Sequence, residues 1–452
     1  MPVETKIGLY VFWVAGAASL VQAQTPDLQM VLQRLDRLEA QNQELMSEIR
    51  ALRQQLAGNS APAEASQPTP EVKTEERVEV HDRQIAQLDQ EKISTDHRLP
   101  LSLTGMLLFN SFWTGRNGGG ADNPTIAAPP GTTPAASGGA TFRQSGVGVK
   151  FTGPEIPGGG RVTGSAYIDF FGGAGTTLNQ LVRLRVASID ANWKTTTLTF
   201  ALDKPIIAPR EPDSLSQVGV SPLTSAGNLW LWQPQARVEQ RFAFSEQAGL
   251  RAQFGVYQTS ENGNGVPAEY TNTLAKSRPG YQGRVELWSQ LSEGRRIEIA
   301  PGFHLSSTRV AGLSVPSRIF TLDWLIRPFN RIDVTGAFFH GQNVGVVGGL
   351  RQGVSFLNDQ PRAVGATGGW AQLKIRVTPR VTFNIYGGQE DDRNSDLRYG
   401  GIAKNQTYAG NVMYRFGSNV LASFEASQTR STYKGSGTLS FPHYDLGLAY
   451  LF

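Results

Sequence analysis

Two hydrophobic periods divide the chain. Between Leu28 and Leu56 the apolar residues follow the alternating three- and four-residue spacing of a heptad, and from Leu99 to Phe452 they fall at every second position. The first spacing indicates an α-helix, whereas the second indicates β-strands with one apolar and one polar face. The pattern therefore predicts a helical N-terminal part followed by an all-β domain.

The heptads predict a left-handed coiled coil. Its a and d positions are Leu28, Val31, Leu35, Leu38, Asn42, Leu45, Ile49, Leu52 and Leu56. A polar Asn at one a position costs stability but fixes the register and the number of helices. Self-association is therefore the expected role of residues 24–57.

The sequence from Arg34 to Glu39 (RLDRLE) indicates how many chains associate. Arg34 at g and Glu39 at e flank the core residues Leu35 and Leu38, so an ion pair between neighbouring helices can cover the core. This arrangement resembles the short trimerisation motif of parallel three-stranded coiled coils, and a dimer with an ordinary g/e pair is the alternative. We predict a homotrimer specified by Arg34, Leu35, Leu38, Glu39 and Asn42.

The segments on either side of the coiled coil have the composition of an export signal and a linker. The apolar run from Ile7 to Val21 is too short to span a membrane and ends in the small-residue pattern Val21-Gln22-Ala23, which is typical of a signal peptide covering residues 1–23. Residues 58–98 begin with a Pro-, Ala- and Ser-rich linker and continue into a short charged helix or tether. The β domain is predicted over residues 99–452.

The β domain contains sixteen alternating segments, most of them about ten residues or longer, the length that a tilted strand needs to cross a bilayer. They cover residues 99–114, 142–151, 161–171, 183–192, 196–207, 229–244, 250–257, 281–291, 296–310, 317–328, 331–344, 370–378, 380–388, 407–416, 420–429 and 443–452. The fold class that follows is a transmembrane antiparallel β-barrel of about sixteen strands.

The connections between these segments alternate in predicted length. The odd connections are long, at 116–140, 172–182, 208–228, 258–280, 311–316, 345–369, 389–406 and 430–442, and the even ones are mostly tight. Outer-membrane barrels have this alternation, with the short turns in the periplasm. An even strand number returns both ends of the barrel to the short-turn side, so the coiled coil is expected in the periplasm of a Gram-negative-type bacterium.

The last strand has an ending that is typical of outer-membrane proteins. Tyr444, Leu446, Leu448, Tyr450 and Phe452 share one face, and the chain ends on Phe. Such a strand looks like the C-terminal signal that the barrel-assembly machinery reads. Tyr450 and Phe452 are therefore the predicted assembly signal.

Composition narrows the chemistry. The absence of cysteine excludes disulfides, thiolate metal sites and Cys nucleophiles. Residues 1–98 hold 10 Lys and Arg against 15 Asp and Glu, whereas residues 99–452 hold 32 against 23. Because an exported chain seldom meets nucleic acid, this basic balance points to small anionic solutes, together with outer-membrane lipid and lipopolysaccharide, and no cofactor or metal is expected.

The inward positions of the strands carry the charges that would set the selectivity of a pore. The basic ones are Arg183, Arg185, Arg237, Arg241, Arg251, Arg284, Arg296, Arg327, Arg331, Lys374, Arg376, Arg380 and Arg415. Inward acids are fewer, and Arg237/Glu239 and Arg284/Glu286 are candidates for mutual neutralisation across strands. A wet wall of mixed charge is one interpretation, and a positive ladder that favours anions such as carboxylates is the other.

The third long connection, 208–228, is a candidate constriction. Charged residues occur in and just before it, and large porins fold this loop into the lumen. We expect Lys204, Arg210, Glu211 and Asp213 to narrow the passage; a solvated surface loop is the alternative.

Catalytic motifs are not found. No GxSxG motif occurs, and the glycine clusters lack the following Lys-Ser/Thr of a phosphate loop. We therefore expect a porin rather than an enzyme. An outer-membrane hydrolase and a plugged structural or adhesion barrel are the alternatives.

Three stretches, 142–148 (FRQSGVG), 165–173 (SAYIDFFGG) and 227–242 (GNLWLWQPQARVEQRF), resemble the DcaP-like porins. The resemblance in motifs covers mainly residues 140–245. It implies a trimeric outer-membrane channel with a periplasmic coiled coil that is associated with the uptake of dicarboxylates and other anions. Phosphate-selective porins share the general plan, so phosphate is an alternative solute.

Overall fold

The computed structural model describes residues 101–452 except for 119–121, 174–179, 262–265 and 293. The predicted signal peptide, coiled coil and linker lie outside the described residues. Within the described part, no helix is long and apolar enough to cross a membrane.

The barrel wall is built from long antiparallel strands. They are β1 Leu101–Thr114, β2 Ser137–Thr141, β3 Gly146–Ile156, β4 Gly160–Asp169, β5 Arg183–Asn192, β6 Thr196–Asp203, β7 Gln233–Ser245, β8 Ala248–Thr259, β9 Arg278–Ser292, β10 Arg295–Val310, β11 Leu313–Phe329, β12 Ile332–Gln342, β15 Gly365–Arg376, β16 Val381–Asp392, β17 Ile402–Phe416, β18 Val420–Tyr433 and β19 Gly437–Leu451. Inside the connections lie helix α1, Ala268–Ala275, the hairpin strands β13, Val354–Leu357, and β14, Gln360–Ala363, and two 3-10 turns, Val344–Val347 and Asn394–Asp396.

The sheet closes on itself. β1 pairs with β19 from Met106↔Leu451 to Thr114↔His443, and it pairs on its other side with both β2 and β3. Because β2 and β3 share one position beside β1, the seventeen wall strands make a barrel of sixteen positions. Closure satisfies the hydrogen bonds of every wall strand, which is the condition for a sheet in lipid. The predicted all-β antiparallel barrel is confirmed.

The two faces of the wall differ in the way that the alternation predicts. In β19, Leu446 and Tyr450 are half exposed on the outside, whereas Asp445 and His443 are buried on the inside. β10 shows the same arrangement, with Phe303 outward and Glu298 inward. The outer face is therefore a band of apolar side chains, and the charges are enclosed.

The connections follow the predicted alternation with two corrections. The short-turn end has connections of two to four residues, at 157–159, 193–195, 246–247, 293–294, 330–331, 377–380 and 417–419. At the other end, the predicted long connections 311–316 and 430–442 are wrong. β10 and β11 are joined by Ala311 and Gly312 alone, both with positive φ as a two-residue hairpin requires, and β18 and β19 by residues 434–436.

Two long connections pack on each other at the long-loop end. The ring of Tyr270 in α1 stacks on Phe356 of β13 with centroids 5.4 Å apart, above a core that includes Leu274 and Val354. The 3-10 turn Val344–Val347 packs on Ile206, Ile207 and Leu229. Connection 343–364 therefore links the outer loops to the connection between β6 and β7.

Candidate functional site

The connection between β6 and β7, residues 204–232, lies inside the barrel, and we call it the lumen segment. Lys204, Arg210 and Asp213 are 4%, 6% and 7% exposed. A solvated surface loop would leave these side chains in water, so the segment does not have that character. Whether it narrows a conducting path remains a prediction.

The first eight residues of the lumen segment are joined by an ion pair between Lys204 and Glu211. Both side chains are buried. Ser221 also donates its hydroxyl to Glu211. Burial lowers the pKa of Lys204, and the neighbouring Glu211 opposes that shift. The pair closes a short turn that directs Arg210 across the lumen.

Arg210 holds the first half of the segment against the wall. Its Nε donates to Asp323 Oδ1 of β11 at 2.8 Å, and its Nη2 contacts Glu298 of β10 and Glu286 of β9. Burial by itself lowers the pKa of Arg210, but the three carboxylates raise it above the ordinary value. The guanidinium therefore stays charged, and it links three strands through one side chain.

Asp213 is held by strands further round the barrel than those that hold Arg210. Its backbone N–H donates to Gln372 Oε1 at 2.6 Å, and its carbonyl accepts from Asn411 Nδ2 at 2.8 Å. Its carboxylate lies 3.7 Å from Lys374 Nζ. The next residue, Ser214, donates to Glu425 Oε2 at 2.7 Å. These contacts fix the segment to β15, β17 and β18.

Gln144, in the turn between β2 and β3, holds the far end of the crossing. Its Oε1 accepts the backbone N–H groups of Val218 and Gly219, each at 2.7 Å. Its Nε2 donates to the Ser216 carbonyl at 2.9 Å and to Asn110 Oδ1 at 3.1 Å. One buried amide thus satisfies three backbone groups of the lumen segment.

The return path of the segment is held by connection 343–364. The N–H groups of Trp230 and Leu231 donate to the Val347 carbonyl at 3.0 and 3.2 Å. Gln233 Nε2 donates to the Val346 carbonyl at 2.8 Å. The segment is therefore held by two loops as well as by the wall.

The predicted pore-lining cations all lie on the inward side of the wall, in two layers. The buried layer consists of Arg185, Arg237, Arg251, Arg284 and Lys374, and Arg183 lies beside it. The cations that are partly or fully exposed toward the short-turn end are Arg241, Arg296, Arg327, Arg331, Arg376, Arg380 and Arg415.

Most of the buried cations have carboxylate partners. Arg284 Nη2 contacts Glu286 at 2.6 Å, along one strand rather than across two, and its Nε contacts Asp323 at 2.7 Å. Arg237 pairs with Asp203 at 3.0 Å instead of Glu239, which is held by Arg241. This level of the lumen is close to neutral.

Aromatic rings complete the wall near β5. Arg183 grips Asp169 with two hydrogen bonds, of 3.0 and 2.6 Å. The guanidinium carbons of Arg183 and Arg185 lie 5.1 and 4.9 Å from the ring centroid of Trp232. The indole thus shields two cations at the level of the lumen segment.

The proposed assembly residues lie at the seam of the barrel. Tyr450 is half exposed on the outer face, and the backbone N–H and carbonyl of Phe452 both bond to Gly105. The proposed trimerisation residues, Arg34, Leu35, Leu38, Glu39 and Asn42, lie outside the described residues. Neither assignment is tested by these positions.

Sequence reasoning missed the neutral residues that hold the lumen segment. Gln144, Gln372, Asn411 and Asn405 supply amides to its backbone. Gln144, Gln372 and Asn411 lie in predicted strands, at positions that alternate with the outward apolar residues. The alternation alone would therefore have placed these three side chains toward the lumen. Among the described residues, no group of three or more histidine, aspartate or glutamate side chains is placed to hold a metal ion.

The barrel is similar to solved outer-membrane channels. The outer membrane channel DcaP of Acinetobacter baumannii superimposes with a TM-score of 0.62 over 80% of this chain and 99% of that chain, at 11% identity. The chain has the fold of the DcaP channel. An anion-selective porin from Comamonas acidovorans gives 0.49 at 11% identity, over 78% of this chain and 99% of that one.

The DcaP fold is supported by structure rather than by sequence. No protein family model matches the sequence, and no curated protein matches it. The resemblance to the DcaP-like porins that the sequence motifs indicated is confirmed for the fold. At 11% identity the likeness extends to the path of the backbone and not to individual side chains.

Proposed function

We propose that the chain is an outer-membrane porin that gives passive diffusion to small polar solutes. The observation that carries this proposal is the closed sixteen-position barrel, with apolar side chains outside and charged side chains inside. Such a wall is stable only when lipid surrounds it and polar groups fill its interior. The DcaP fold supports the same function.

The proposed passage is narrow, because the lumen segment crosses the interior and is held there by contacts of Arg210, Asp213 and Val218. We propose that Lys204, Arg210, Glu211 and Asp213 form its constriction and that the inward arginines bias it toward anions such as dicarboxylates. Arginine grips a carboxylate bidentately. The exposed arginines lie toward the short-turn end, where an anion would meet them directly.

Vesicle swelling tests the diffusion. Vesicles that contain the purified protein should swell in isotonic solutions of a small sugar or of sodium succinate, and faster in succinate if anions are favoured. Protein-free vesicles serve as the control. Swelling rates equal to those of protein-free vesicles would contradict the proposal.

A plugged barrel is a second candidate, because the lumen segment contacts nearly opposite sides of the wall, at Asp323 of β11 and at Asn110 of β1, whose amide donates to the Leu215 carbonyl. Such a barrel would insert into vesicles and leave them impermeable. Proteolysis of the long loops from outside intact vesicles would show insertion, so absence of swelling after proven insertion would favour the plug.

We further propose that the short turns face the periplasm and that the coiled coil of residues 24–57 holds three chains together. Tyr450 and Phe452 would be read by the barrel-assembly machinery before the barrel meets lipid and lipopolysaccharide. Deleting residues 28–56 should lower the mass of the purified complex from trimer toward monomer. An unchanged mass would count against the role of the coiled coil.

A further inference from the structure

Four arginines line one cavity at the short-turn end of the lumen. Arg331, Arg376, Arg380 and Arg415, together with Asn330, surround a space of about 460 Å³. The remaining lining residues are Thr378, Pro379, Thr382, Met413 and Leu421. The described lining thus contains four cations and no carboxylate.

Strand pairing brings these arginines together. The backbone N–H of Arg376 donates to the Arg331 carbonyl at 2.8 Å, and that of Arg415 donates to the Arg380 carbonyl at 2.9 Å. The turn 377–380 joins the two pairs. Arg376 and Arg415 are inward residues of β15 and β17, and Arg331 and Arg380 lie in the turns directly before β12 and β16, so all four contribute guanidinium groups to the same space.

Among the described residues, the acid that pairs with an arginine of the cavity is already engaged. Asp333 is held by Arg327, at 2.7 Å, and by Arg376. Arg331 and Arg380 are exposed, and no described carboxylate lies within ion-pairing distance of either. The cavity therefore carries an excess of positive charge in contact with solvent, unlike the neutral layer around Arg284.

We propose that this cavity is a binding site for a small divalent oxyanion at the short-turn mouth of the barrel. Planar guanidinium groups donate paired hydrogen bonds to the oxygens of phosphate or of two carboxylates. The Asn330 amide adds a neutral donor. The site deepens the proposed function because it lies in the same lumen, but binding does not require the barrel to conduct.

Equilibrium dialysis of labelled inorganic phosphate against the full-length protein in detergent tests the site. The pH is kept in the alkaline range, so that inorganic phosphate has lost its second proton and the probe is a dianion. Arg331→Gln and Arg380→Gln should each weaken binding by about tenfold, the loss of one charge-assisted contact. Arg309→Gln, at an exposed arginine near the opposite end of the barrel, is the matched control and should bind like the wild type.

Competition separates a site from general charge screening. Succinate should displace the labelled phosphate, whereas chloride at the same ionic strength should not. Equal displacement by chloride, equal affinity of all variants, or no binding by the wild type would overturn the proposal. If the protein binds phosphate but leaves vesicles impermeable, the proposed porin function is refuted and the proposed binding site is supported. Resistance of each folded variant to denaturing detergent without heating shows that its barrel is intact.

Discussion

Arg210 Nε lies 2.8 Å from Asp323 Oδ1, which joins the lumen segment to the wall strand β11. The same guanidinium contacts Glu286 and Glu298. Removing it would leave buried carboxylates short of a cation, a situation that costs more than the pair itself contributes. The position of the lumen segment therefore depends strongly on this one residue.

Arg210→Met should lower the free energy of unfolding by about 3–5 kcal/mol, the usual cost of breaking a buried ion pair from one side. The loosened segment should also make the current through open channels larger or noisier. Arg309→Met, on the exposed surface, is the control and should change stability by about 0.5 kcal/mol or less. Guanidinium titration of the barrel in vesicles measures both variants. Equal stabilities would show that Arg210 does not anchor the segment.

Gln144→Ala should destabilise the far end of the lumen segment. The N–H groups of Val218 and Gly219 would lose their acceptor inside the barrel, at a cost of about 1–3 kcal/mol for each. Gln144→Glu retains an acceptor for both and should lose less. Hydrogen exchange of the Val218 and Gly219 amides reports the change directly. Protection that survives in Gln144→Ala would contradict the assigned role.

Glu261 makes the packing of the long loops depend on pH. Burial raises the pKa of its carboxyl from 4.5 to about 7, although Arg278 and Asn343 oppose the shift. A carboxyl whose pKa is raised by folding contributes stability that is complete below 4.5 and is lost as the pH rises through 7. Connection 260–277 should therefore open more readily above neutral pH than below about 5.

Proteolysis after Lys276 measures that opening. The cleavage rate of the wild type is divided by that of Glu261→Gln at the same pH, so that the pH dependence of the protease itself cancels. This ratio should be near one in acid and should increase through neutral pH. A ratio that does not change with pH would refute the assignment to Glu261.

If the outer face of the wall contacts lipid, the cost of placing an arginine on it should depend on the depth of that position in the bilayer. Phe254 and Gln258 both point outward from β8, Phe254 near its middle and Gln258 near its long-loop end. Phe254→Arg should cost about 2–4 kcal/mol and Gln258→Arg about 0–1 kcal/mol, because the penalty for arginine falls toward the interface. Equal costs, measured by refolding into vesicles, would place this face outside the hydrocarbon core.

The wall could be predicted from the sequence because an apolar outer face and a polar inner face require a strict alternation. Each of the sixteen predicted segments corresponds to one barrel position. The short strand β2 (SGGAT) was missed because it has no apolar ladder. The turns at 311–312 and 434–436 were predicted too long because the strands continue beyond the apolar band of the outer face, where the alternation is no longer required.

The candidate site was predictable in position but not in its contacts. The charges of the lumen segment placed it in the passage, yet nothing local to Arg210 indicates that Glu298 lies 88 positions away and in contact. Such pairs depend on how far the segment reaches across the barrel. The alternation of apolar and polar residues along the 16 residues of β10, by contrast, is a local pattern. The strand could therefore be located from the sequence, whereas the contact of its Glu298 with Arg210 could not.

Single-channel recording in planar bilayers tests the central claim most directly. As wild-type protein inserts, the current should increase in discrete steps. Under a KCl gradient the reversal potential should have the sign of chloride permeation, since inward arginines dominate the exposed charge of the lumen. A barrel whose insertion is proven by loop proteolysis but which carries no current would contradict the claim that its lumen is a passage.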